Sequence, residues 1–248
     1  MEEKKYKLTK ESINFNGKTL YRIKAIRDFG LIKKGDKGGF IETESNLSHD
    51  GDAWISGDAK VFGNAEVSDN ARVTSNVEVS DNAKVSDNAV VYGNAKVSGN
   101  AEVSDHANVS GDANISGNAK VSGYAEVRWY AKVTDNAIVY GNAEVSAWAN
   151  VSGKANVFGN AYISDDAMVY GEAKVYDSAC VSGNAEVFGN ARVYDYAMVY
   201  EDAQVYDDAN IYDNAKVCGM AQVYGSANVY GKALVYDDEL VGGNAYID

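Results

Sequence analysis

The sequence contains no proline, only 2 cysteines and 2 histidines among 248 residues, and no long apolar run. Each shortage excludes something. Without roughly 20 consecutive apolar residues there is no bilayer-spanning helix, and the opening MEEKKYKLTK lacks the apolar centre of a secretory signal, so a cytoplasmic protein is expected. Cys180 and Cys218 are too few for a disulfide framework, and free thiols are expected in a chain long enough to build its own core. Positive charge is scarce as well. With 23 Lys+Arg against 36 Asp+Glu, the net charge is -13, the wrong sign for a nucleic acid or an anionic membrane surface as partner. The deficit is uneven: residues 1-50 carry 11 basic and 8 acidic side chains, and residues 51-248 carry 12 and 28. This asymmetry divides the chain into an amino-terminal segment, 1-50, and an acidic remainder, 51-248.

What fills the remainder is one motif. From Gly51 to Asp248 the chain parses without insertion or deletion into 33 hexads of the form [Gly/Asp]-[Asn/Asp]-Ala-x-[Val/Ile]-x, as in GNAKVS at 93-98. Position three is Ala except at Val77 and Glu239, and position five is always Val or Ile. In an extended segment positions three and five share one face while four and six point the other way. Positions one and two hold residues that tolerate a tight or left-handed backbone. Each hexad therefore predicts a short strand and a corner, and the series predicts an all-β solenoid lined by Ala and Val.

The charges at position four set the length of a turn, because residues one turn apart lie about 4.8 Å apart. A 12-residue turn stacks Lys60 on Arg72 and Glu66 on Glu78, and a 24-residue turn stacks Lys60 on Lys84 and Glu78 on Glu102. Both put like on like. An 18-residue turn pairs Lys60 with Glu78, Glu66 with Lys84, Glu78 with Lys96, Lys84 with Glu102, and Glu102 with Lys120. Facing opposite charges contribute roughly 0.2–1 kcal/mol each, so a three-sided parallel β-helix of about 11 coils of 18 residues is expected. Two stacks resist this rule, Glu126 over Glu144 and Lys174 over Arg192.

Runs such as GNAKVSGNAEVS resemble the hexapeptide-repeat family, and the resemblance implies a left-handed parallel β-helix. The stretch at 20-55, LYRIKAIRDFGLIKKGDKGGFIETESNLSHDGDAWI, resembles the amino-terminal cap of bacterial and phage-borne members labelled acyltransferases or polymer-forming proteins. Read locally, INFNGKTLYRIKAI is a hairpin turning at Asn16-Gly17. Such a cap would cover the bare edge of the first coil, and no comparable cap is expected at the carboxyl end.

Enzymes of that family are mostly acyltransferases that use a histidine between subunits, which makes His49 and His106 the weak catalytic candidates here. His49 sits at the cap junction, and His106 stands where a turn Asn is usual. The family's zinc carbonic anhydrases need three histidine ligands, which this chain cannot supply. Acidic turns such as Asp165-Asp166 and Asp207-Asp208 offer too few oxygens for calcium, so no metal and no cofactor is expected. Position six turns aromatic in the second half, along Tyr140, Phe158, Tyr176, Tyr194, Tyr212 and Tyr230 and along Tyr170, Phe188, Tyr206 and Tyr224. Rings spaced by one coil form ladders. Tyr194, Tyr212 and Tyr230, with the outward Tyr162, Met168, Met198, Met220 and Leu234, are the candidates for self-association into a homo-oligomer. The sharpest departure is RWY at 128-130, answered one coil later by Trp148: corner slots that elsewhere hold Gly, Asp and Asn here hold Trp129, Tyr130 and Trp148, with Arg128 at the edge. Their composition is that of a contact hot spot, and they are the candidate partner-binding residues. A prism filled by its own side chains holds no internal substrate pocket. The expected function is thus a non-enzymatic structural or protein-interaction solenoid; the alternatives are an acyltransferase relative with a site between subunits and an acidic DNA mimic.

Overall fold

The computed structural model describes residues 4–248 and falls into two compact units, Met1–Asn118 and Ala119–Asp248. Both contain parallel strands of two residues, to which the first adds longer antiparallel strands at its amino end, and none of the described residues forms a helix long and apolar enough to cross a membrane.

In the first unit, β1 (Tyr6–Phe15) and β2 (Lys18–Ala25) form the expected hairpin. Asn16 and Gly17 both have positive φ, 50° and 77°, as a two-residue turn matched to strand twist requires. β3 (Lys37–Ile41) pairs antiparallel with β2 and then parallel with Lys60–Val61, so it joins the hairpin to the first coil. The chemistry of the junction follows from the direction of the ladder. Each coil donates its N–H groups to the carbonyls of the next, for example Lys84 N to Ala101 O at 2.9 Å, so the first coil's carbonyls need donors from elsewhere. Phe40 N, Glu42 N and Ser48 N supply Ala59 O, Val61 O and Val67 O, and the buried Asn46 donates its amide to Gly63 O and Ala65 O. Leu20, Phe40 and Phe62, with Ile13 and Phe15 against them, form an apolar cluster that joins the cap to the first coil.

From Gly51 onward the 18-residue turn is observed directly. Lys60 pairs in register with Glu78, Glu78 with Lys96, Glu66 with Lys84, and Lys84 with Glu102. Register does not guarantee an ion pair. Lys96 Nζ lies 3.7 Å from Glu78 Oε2, whereas Lys60 lies over the Phe15 ring at 5.0 Å and bonds Asp58 O. The Ala and Val of positions three and five are buried throughout the first unit's coils, including Val77 in an Ala slot.

The second unit repeats this geometry on three parallel sheets. One face carries Glu126, Glu144, Tyr162, Cys180, Met198, Lys216 and Leu234. The next carries Lys132, Asn150, Met168, Glu186, Gln204 and Gln222, and the third carries Lys120, Ile138, Asn156, Lys174, Arg192 and Asn210. Every position-one residue has positive φ, which explains Gly there, and Asp has a second reason. Asp135 Oδ2 accepts from Gly153 N at 3.0 Å and Asp207 Oδ2 from Gly225 N at 3.1 Å, so the carboxylate satisfies the amide one coil on. Position-two amides form a parallel rail, as in Asn142 to Asn160 at 3.1 Å. Cys180 and Cys218 are free thiols, as expected.

Candidate functional site

The histidines first. His49 stacks on the buried Tyr6 with ring centroids 4.3 Å apart, and its Nδ1 accepts from Lys5 N at 3.4 Å. Tyr6 in turn donates its hydroxyl to Glu44 O and Leu47 O, and burial raises its pKa. Beside them the buried Lys5 donates Nζ to Asp50 O and Gly51 O, and burial pulls its pKa down to about 8. His49 is therefore a packed member of the cap. His106 stands on an exposed corner several coils along the chain, in the slot usually held by Asn.

The aromatic columns form continuous ladders. From Tyr140 to Tyr230 successive rings lie 4.9–5.3 Å apart and within 10° of parallel, and from Tyr170 to Tyr224 they lie 4.9–5.4 Å apart. Polar tips are tied down on the diagonal: Tyr170 OH donates to Glu186 Oε2 at 2.9 Å and Tyr206 OH to Gln222 Oε1 at 3.2 Å. Burial, followed by that Glu186 bond, pushes the Tyr170 pKa up to about 12, and burial does the same for Tyr194. Tyr194, Tyr212 and Tyr230 are thus half-buried rungs stacked against their neighbours.

The other self-association candidates do not form one patch. Tyr162, Met198 and Leu234 share a face, with Cys180 between the first two and Lys216 between the last two. Met168 lies on a different sheet, paired with Asn150 and Glu186. Met220 is 64% exposed on a corner and Leu234 is 50% exposed.

The corner at 128-130 is assembled as its spacing suggests, with one change of role. Tyr130 and Trp148 occupy position two of hexads one coil apart, and their rings stack with centroids 5.2 Å apart and planes 6° apart. Trp129 takes position one with φ 64°, and Ala147 follows one coil later with φ 56°. A left-handed backbone costs an ordinary L-residue roughly 1–2 kcal/mol, and the Trp129 side chain remains 62% exposed. Tyr130 and Trp148 are 46% and 60% exposed. Together with Tyr162, Asp165 and the buried Ser146 and Ser164, these residues line a cleft of about 210 Å³.

Arg128 is not a free edge of that cleft. Its Nη2 bonds Glu144 Oε1 and its Nη1 lies 3.5 Å from Glu126 Oε2, and the Glu144 bond raises its pKa. The Glu126–Glu144 stack that breaks the charge rule is therefore clamped by the guanidinium between them. A position-six side chain meets the position-four side chain of the next coil, 16 residues on, and the same step joins Tyr170 to Glu186, Tyr206 to Gln222 and Ser146 to Tyr162. That 16-residue step was the signal in the sequence for the role of Arg128. Sequence reasoning also missed Tyr162 and Asp165 as walls of the cleft. Among the described residues no three His, Cys, Asp or Glu side chains are grouped to hold a metal. No family model matches the chain, and no curated protein matches it.

Proposed function

We propose that this β-solenoid is a non-enzymatic interaction protein that binds a protein partner through the corner formed by Trp129, Tyr130 and Trp148. One observation carries the reading: Trp129 occupies a left-handed corner position yet is 62% exposed, so its own fold gives it little return for the strain. Beside it, two further aromatic rings are about half exposed and already ordered by stacking, which lowers the entropy cost of covering them. Aromatic anchors of this kind dominate contact energies when a partner buries them. The test is the double variant Trp129→Asn, Trp148→Asn. It should keep the melting temperature within a few degrees and lose the partner that the native chain retains from lysate. Retention of that partner would refute the reading.

The solenoid also associates with itself in this proposal, and the support is the exposed Met220 and Leu234 on the second unit. Light scattering at micromolar concentration should give more than one chain per particle, and a monomer at every concentration would end the idea. The 18-residue turn supports kinship with hexapeptide-repeat proteins. Turnover of an acyl donor that vanishes in His49→Ala or His106→Ala would overturn the non-enzymatic assignment.

A further inference from the structure

The cleft at the aromatic corner has a chemistry that selects among partners. Four of its walls, Trp129, Tyr130, Trp148 and Tyr162, are aromatic, and ring faces carry negative electrostatic potential. The nearby cation, Arg128, is already engaged by Glu144 and Glu126. Asp165 adds a third carboxylate at the rim. Its Oδ2 accepts from Gly183 N at 3.1 Å and Ser164 Oγ at 3.5 Å, and no described residue bonds its Oδ1. Two carboxylates thus engage the one guanidinium while a third lines the cleft, on a chain whose net charge is -13. The volume of about 210 Å³ falls below the roughly 300 Å³ at which pockets for whole small molecules begin, and suits one side chain.

We propose that this cleft receives a cationic side chain, an arginine or lysine presented by a basic segment of a protein partner. The proposal rests on the reading that the corner contacts a protein. An aromatic enclosure attracts a cation through its ring faces, and the carboxylate at the rim supplies the counter-charge. An anionic side chain would meet uncompensated repulsion. A purely apolar one would cover Asp165 without offering it a donor, which is costly.

The experiment titrates the full chain with the peptide acetyl-Gly-Arg-Gly-amide and, in parallel, with acetyl-Gly-citrulline-Gly-amide, which has nearly the same shape without the charge. Tryptophan emission is the readout, since Trp129 and Trp148 are exposed and Trp54 is buried. The arginine peptide should give a saturable change in the millimolar range or tighter, roughly fivefold or more stronger than citrulline. Added salt should weaken it. Asp165→Asn should reduce that preference at an unchanged melting temperature, because Asn accepts the φ of 57° that Asp165 adopts. Equal binding of the two peptides, binding of neither, or an undiminished preference in a folded Asp165→Asn would overturn the cationic assignment. Those results would leave partner binding to be judged by the Trp129, Trp148 double variant, whose failure is a separate outcome.

Discussion

The two tryptophans of the corner should affect stability in opposite directions. Trp129 stands at φ 64°, so replacing it with Asn, which visits that region readily, releases part of a backbone cost of roughly 1–2 kcal/mol. The ring is 62% exposed, and its lost contacts offset only some of the gain. Trp129→Asn should therefore stabilise by about 0.5–1 kcal/mol. Trp148→Asn removes the stack on Tyr130, worth about 0.5–1.5 kcal/mol. It also places an amide above Asp166, in the geometry that lets Asn184 bond Asp202 at 2.8 Å, and an exposed bond of this kind returns about 0.5 kcal/mol. The net for Trp148→Asn is a loss of about 0.5–1 kcal/mol. The double variant should then sit close to the parent chain. Urea titrations of the full chain, followed by far-ultraviolet circular dichroism, resolve these differences through their midpoints. A fall of more than about 1 kcal/mol for Trp129→Asn alone would mean that the ring supports the corner by packing, and the strain argument would be wrong.

Three further outcomes are expected. Lys96→Glu should destabilise the first unit by setting a second carboxylate against Glu78, and Lys96→Glu with Glu78→Lys should recover part of the loss; a double variant that melts no higher than the single contradicts the charge argument for register. Arg128→Ser should cost about 1 kcal/mol at low salt, because Glu126 and Glu144 are left facing each other, and the deficit should shrink as added salt screens them; urea midpoints at the two salt concentrations check it. Alkaline pH should act in two directions. Lys5 has a folded pKa of about 8 against an ordinary 10.5, so the unfolded chain binds more protons between those values and stability rises with pH there. Tyr170, Tyr194 and Tyr200 are raised from 10.0 to about 12, Tyr200 chiefly by its bond to Cys218, so above pH 10 the unfolded chain loses protons that the folded chain keeps, and stability falls. Denaturation midpoints across pH 7 to 12 should show the rise and then the fall, and Lys5→Met should abolish only the rise.

The architecture was legible because two positions of every hexad are almost invariant in type and a third carries charges whose stacking has only one acceptable period. The hairpin turn at Asn16-Gly17 was legible for a similarly local reason, the requirement for positive φ. The interior of the cap was not. Lys5 and Tyr6 lie about forty residues before Asn46 and His49; Lys5, Tyr6 and Asn46 are held by bonds to backbone carbonyls, which any sequence possesses, and His49 by its stack on Tyr6. At the corner, the stacking of Tyr130 on Trp148 follows from their 18-residue spacing. The engagement of Arg128 follows from a diagonal step of 16, which a reading confined to vertical columns passes over. Asp165 looked like any other turn Asp until the aromatic walls placed it beside a cleft.

The hexad and the turn carry different information. Deleting one hexad between Trp148 and Tyr162 would leave every remaining hexad conforming to its pattern and the interior still filled with Ala and Val. Yet each later side chain would arrive one face early. Tyr162 and Asp165 would leave the tryptophan corner, and Tyr140 would be cut from the ladder it begins. Deleting eighteen residues would restore the alignment. The fold is indifferent to shifts of six, whereas the surface has a reading frame of eighteen. Repeats can thus be gained or lost in whole turns without scrambling what the solenoid displays, and a change of one or two hexads works as a frameshift in the pattern of its faces.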